Sequence, residues 1–123
     1  MDSIETLALV AHDGMKDRLV DWAGRHREAL SRRTLYATGT TGGRLVDGLG
    51  LEVTRLRSGP LGGDAQLGAM IAEGRLDGLV FFIDPLSALP HDVDVKSLLR
   101  LATLYDTALA INERTANALL AAG

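Results

Sequence analysis

Hydrophobic residues in this sequence follow two alternating rhythms, and that alternation narrows the possible folds more than any other feature. Thr6–Ala11 and Gly78–Ile83 are short unbroken apolar runs, the pattern of a strand covered on both faces. Elsewhere the period is that of a helix. Met15, Leu19, Trp22, Ala23 and Leu30 fall near helical spacing, while Lys16, Asp17, Arg18, Arg25 and Arg27 take the other faces. Thr34–Thr38 reads as a strand and Gly43–Gly48 as a short helix. Leu51–Arg57 is strand-like, and Asp64–Glu73 is a helix with Leu67, Met70 and Ile71 inward and Gly74 as its C-cap. After Gly78–Ile83, a helix is lined by Val95, Leu98, Leu99 and Ala102, and Thr107–Ile111 and Glu113–Ala122 complete the pattern. Strand-helix units joined by short connections predict an α/β fold: one domain over residues 1–123, a three-layer doubly wound architecture with a five-stranded parallel sheet and helices on both faces.

Composition removes several classes of function. The chain has 123 residues and no cysteine, so thiolate catalysis, Fe–S clusters, cysteine-based zinc sites and a disulfide scaffold are excluded, and a reducing cytoplasm suits it. No apolar run approaches the ~20 residues of a membrane span, and the acidic start Met1–Glu5 is unlike a signal peptide. A formal net charge of −3 and only five aromatics leave neither the basic stripe nor the stacking platform of a nucleic-acid binder. Glycine is in excess, with 14 residues.

In doubly wound sheets, ligands bind beyond the carboxyl ends of the strands. The residues expected there are His12, Asp13 and Lys16, then Thr38–Gly43, then Ser58–Asp64, and last Asp84, Pro85, His91, Asp92 and Asp94. Thr38–Gly43 carries three hydroxyls and three glycines on a strand-to-helix turn, where free amides and the helix dipole favour an oxyanion. It lacks the Gly-Lys-Ser/Thr ending of an ATP-binding loop and the spacing of a dinucleotide loop. The simpler reading is that Thr41 caps a helix and the glycines permit a tight turn. Ser58–Asp64 offers a second close-approach turn, with Asp64 placed either to cap a helix or to act as a base beside a phosphorylated substrate. His12, Asp13 and Lys16 set an imidazole, a carboxylate and an ammonium on one loop. Asp84, His91 and Asp94 suit proton transfer near neutral pH, with Asp92 as a helix cap. The His/Asp spacing matches no metal-ligand pattern. Trp22 reads as core, His26 among Arg25, Arg27, Arg32 and Arg33 as a solvated helix end, and Arg55 and Arg57 as exposed strand positions or weak steering charges.

Taken in order, Ala11-His12-Asp13, Tyr36–Gly42, Ser58–Asp64, Asp84–Leu86 with Pro90–Asp92, and Asp94–Arg100 resemble methylglyoxal synthase, from about Leu7 to Asn112. The resemblance implies a lyase that converts dihydroxyacetone phosphate to methylglyoxal and inorganic phosphate without metal or organic cofactor. It also implies a cytoplasmic homohexamer inhibited by phosphate. Carried over to this sequence, the general base falls on Asp64. Substrate contacts fall on His12, Lys16, Thr38, Gly39, Thr40, Thr41, Ser58, Gly59 and His91, and further active-site carboxylates on Asp13, Asp84 and Asp94. Gly14 and Met15 occupy a variable stretch, and Val93 stands where proline is frequent. Longer members carry a C-terminal arginine that reaches a neighbouring subunit's phosphate site. Two rival readings share the fold class: a non-catalytic module binding a phosphorylated effector, as in carbamoyl phosphate synthetase, and a flavin carrier. No aromatic lies in the strand-end loops where a flavin ring would be sandwiched.

Overall fold

The structure is a computed structural model describing residues 4–58, 61–86 and 95–121. Five strands, β1 (Thr6–Ala11), β2 (Thr34–Thr38), β3 (Val53–Leu56), β4 (Gly78–Phe82) and β5 (Ala108–Ala110), pair in the order β3-β2-β1-β4-β5, and every pairing is parallel. Helices α1 (Lys16–Arg25), α2 (Arg27–Ser31), α3 (Gly39–Leu49), α4 (Gly63–Ala72), α5 (Val95–Leu104) and α6 (Glu113–Ala121) connect and flank them.

The period of two in β1 divides its side chains between two cores. Leu7, Leu9 and Ala11 pack with Leu19, Trp22 and Ala23 of α1, Leu45 of α3 and Leu119 of α6. Ala8 and Val10 face the opposite way, onto Leu67 and Ile71 of α4 and Leu98 of α5. Leu7–Val10 are wholly buried, as the unbroken apolar run requires. Trp22 also donates its indole Nε1 to Asn117 Oδ1 at 2.8 Å, tying α1 to α6.

The chain steps outward from β1 through β2 to β3, then returns across β1 to pair β4. Strand order therefore reverses between β1 and β4. A crevice opens at the carboxyl ends of strands at such a reversal.

Most expected elements are present, with several corrections. The amphipathic stretch Met15–Leu30 is not continuous: a 3₁₀ turn spans Asp13–Met15, and His26, at φ −115° and ψ 23°, separates α1 from α2. His26 is half-buried against Trp22, with ring centroids 5.2 Å apart, and is not a solvated end. Arg33 likewise is not a solvent residue: its guanidinium donates to the carbonyls of Ile4 (2.8 Å), Ala29 (2.6 Å) and Leu120 (3.1 Å). The two edge strands, β3 and β5, are shorter than Leu51–Arg57 and Thr107–Ile111. The helix placed at Gly43–Gly48 begins at Gly39, so four residues read as turn are its first turn.

Candidate active site

The carboxyl ends of β1 to β4 each deliver a group. His12 follows β1, Asp13 lies in the 3₁₀ turn and Lys16 opens α1. Thr38 ends β2, and Gly39, Thr40 and Thr41 form the first turn of α3. Ser58 follows β3, Asp64 lies in the first turn of α4, and Asp84 follows β4. Gly59, His91, Asp92 and Asp94 lie outside the described residues.

Two contacts fasten these ends together. Lys16 Nζ donates to Thr40 Oγ1 at 2.9 Å and pairs with Asp13 Oδ1 at 2.8 Å, joining the β1 loop to the turn after β2. Across the reversal, the backbone N–H of Asp84 donates to His12 Nδ1 at 2.9 Å. Because Nδ1 accepts, the proton of the neutral ring sits on Nε2. That Nε2 is buried with no hydrogen-bond partner among the described residues, and its ring stands edge-on to Phe81 at 5.2 Å. His12 itself is only 6% exposed. Asp84 Oδ1 in turn accepts from the Leu86 N–H at 3.0 Å, which fixes the turn after β4.

The oxyanion turn is tighter than the sequence suggests. Thr38, in extended conformation, occupies the N-cap position of α3 but makes no side-chain cap, and Thr41 is not a cap at all. Thr41 is completely buried, and its hydroxyl has no partner among the described residues. Buried polar groups are nearly always satisfied, so His12 Nε2 and Thr41 Oγ1 are exceptions among the described residues. The amides of the first turn of α3 are free of intrahelical partners, and the helix dipole adds to their pull on an anion.

Asp64 is not an N-cap either. Gly62, with φ +108°, takes that position, which places Asp64 inside the first turn of α4. Ser58 sets this geometry: its carbonyl accepts the N–H groups of Leu61 (3.0 Å) and Gly63 (2.9 Å). A Cβ on Gly63 would lie 2.1 Å from the Arg57 carbonyl oxygen, so only glycine permits the approach. Gly39, at φ +47°, similarly leaves room for Ser58, whose Cβ would be 3.0 Å from a Cβ placed there. The turns after β2 and β3 are thus packed against one another, and Asp64 enters beside them, half-buried with Oδ1 enclosed.

Three supporting residues escaped the sequence reading. Gly63 looked like one glycine of several. Gly14, placed in a variable stretch, lies against Asp84, where a Cβ would sit 2.6 Å from Oδ2. Arg55, read as an exposed charge, lies along Gly42 and Gly43 of α3, with its Cγ and Nη2 2.9 and 3.0 Å from where their Cβ atoms would be. The paired glycines were the only available signal, because they leave a side-chain-wide groove on the first turn of a helix.

The family model described as MGS-like domain matches residues 18–111. A methylglyoxal synthase of Agrobacterium fabrum is 55% identical over 98% of this chain and 95% of its own length. That of Rhizobium rhizogenes is 57% identical over 93% of this chain and 91% of its own. In three dimensions, the crystal structure of methylglyoxal synthase from Elizabethkingia anophelis NUHP1 matches with a TM-score of 0.91 at 50% identity, covering 95% of this chain and 77% of that one.

Proposed function

This chain belongs to the methylglyoxal synthase family, and from that premise we propose that it is a carbon–oxygen lyase that converts dihydroxyacetone phosphate to methylglyoxal and inorganic phosphate. The observation that carries this reading to the site is the Lys16 ammonium held on Thr40 Oγ1 at the first turn of α3, with His12 Nε2 and Thr41 Oγ1 buried and without partners among the described residues. A phosphorylated ketone offers oxygens to all three.

In this reading Lys16, Thr38, Gly39, Thr40 and Thr41 hold the phosphoryl group, with Ser58 and, outside the described residues, Gly59. Asp64 removes a proton from the hydroxymethyl carbon next to the ketone, and the C–H electron pair moves into an ene-diolate. His12, as an Nε2–H donor, stabilises the developing negative oxygen. One such preorganised donor contributes about 3–4 kcal/mol to the barrier. The electrons then expel phosphate from the opposite carbon, breaking its C–O bond, and the resulting enol takes up a proton at its methylene carbon as its hydroxyl gives one up, leaving methylglyoxal. Elimination requires that C–O bond to stand perpendicular to the ene-diolate plane. If it lay in the plane, reprotonation and isomerisation would win. By resemblance, His91 assists proton transfer and Asp84, Asp94 and Asp13 complete the set of carboxylates. The same resemblance supports a cytoplasmic homohexamer in which phosphate is both product and inhibitor.

Incubation of purified protein with dihydroxyacetone phosphate tests this directly. Released phosphate and a dicarbonyl product are expected in equal amounts. Phosphate without the dicarbonyl, an aldose phosphate, or binding without turnover would each overturn it, the last in favour of the effector-binding module.

A further inference from the structure

We propose, resting on the lyase reading above, that Asp13 is an internal rival of the phosphoryl group and limits how tightly the site retains inorganic phosphate. Asp13 Oδ1 stands 2.8 Å from Lys16 Nζ, and the same ammonium donates to Thr40 Oγ1 at 2.9 Å. The ammonium is thus held at the first turn of α3, where an oxyanion would sit, but with a carboxylate already beside it. The Lys16 side chain is only 26% exposed, while that of Asp13 is 73% exposed. Lysine is a compact point charge that binds phosphate through electrostatics more than through geometry. Neutralising it in advance therefore weakens the contact that matters most.

Two effects follow from this placement. An arriving phosphate must take the ammonium from Asp13, and once bound it remains near a like charge. Both raise the dissociation constant for inorganic phosphate, which has no carbon skeleton to make compensating contacts with His12 or Asp64. A site whose product is a doubly charged anion gains turnover from such a rival, because tight retention would leave it blocked. The competing role for Asp13, merely steadying the Lys16 side chain, predicts the opposite sign: removing the carboxylate would then loosen Lys16 and weaken phosphate binding.

Calorimetric titration of inorganic phosphate into the full-length protein separates the two. At low ionic strength Asp13→Asn is expected to bind phosphate about fivefold more tightly, the effect of one unit charge at about 4 Å in a water-like medium. The gain is expected to vanish towards about 1 M salt, where exposed charges are screened within about 3 Å. Asp13→Ser is expected to match Asp13→Asn, and Asp13→Glu to restore the parent affinity. Unchanged or weaker binding in both neutral variants overturns the proposal, as does unaltered phosphate affinity in Lys16→Ala. Turnover of dihydroxyacetone phosphate is followed in parallel: its absence in the parent protein sinks the lyase reading and leaves the titrations to decide the role of Asp13 alone.

Discussion

Asp64 and Thr41 test the site from opposite directions. Asp64→Asn keeps the shape and the hydrogen-bonding capacity of the first turn of α4 while removing basicity. Turnover is expected to fall by about 10²–10⁴-fold, the usual contribution of a positioned base, with the phosphate dissociation constant almost unaltered. Steady-state kinetics together with phosphate titration checks both halves. Thr41 presents a hydroxyl that is buried yet unpartnered among the described residues. Thr41→Val removes an unsatisfied polar atom at nearly constant volume, so the melting temperature is expected to hold or rise. Phosphate affinity is expected to fall about ten- to hundredfold, corresponding to the roughly 1.5–3 kcal/mol of a hydrogen bond to a charged oxygen. A variant less stable than the parent with unchanged affinity would show that the hydroxyl serves the fold and not the ligand.

Helices α3 and α4 carry the site's close approaches through their glycines, and two substitutions bracket what those glycines do. Gly63→Ala would put a methyl group 2.1 Å from the Arg57 carbonyl, against backbone that cannot swing aside. A loss of about 1–3 kcal/mol is expected in chemical denaturation, with turnover reduced further because Asp64 is displaced. Gly48, towards the end of α3, has open space where its Cβ would be, and Gly48→Ala is expected to stabilise by about 0.5–1 kcal/mol without touching activity. The contrast explains what the sequence could and could not show about these elements. β1 was legible to the residue because its apolar run is covered on both faces. The start of α3 was not, because Gly-Thr-Thr-Gly-Gly has poor helix propensity, and the helix persists there through close approach to Ser58, Arg55 and the Ala37 carbonyl. Asp64 was legible as a strand-end carboxylate by its place after β3. Its displacement from the N-cap was not, since that depends on the left-handed Gly62 and on two N–H groups converging on Ser58.

At the scale of the molecule, long-range contacts that leave no local trace govern both stability and assembly. Arg33 gathers three carbonyls from the segment before β1, from α2 and from the end of α6. Arg33→Ala is expected to cost about 1–3 kcal/mol, measured by denaturant unfolding, with the site's phosphate affinity unchanged because the clamp sits at the opposite end of the sheet. The tautomer of His12 was equally invisible in sequence, since its determinant, the Asp84 amide, is 72 residues away. That separation bears on biosynthesis. During translation β1, β2 and β3 emerge long before β4, so the central strand waits with one side unzipped until residue 82 has left the ribosome. A naked strand edge of such hydrophobic character invites sticking to other chains, and closing a loop of that length is slow. Nascent chains arrested before Gly78 are therefore expected to depend on chaperones, and the His12–Asp84 junction straddles a seam that can form only after β4 has been made.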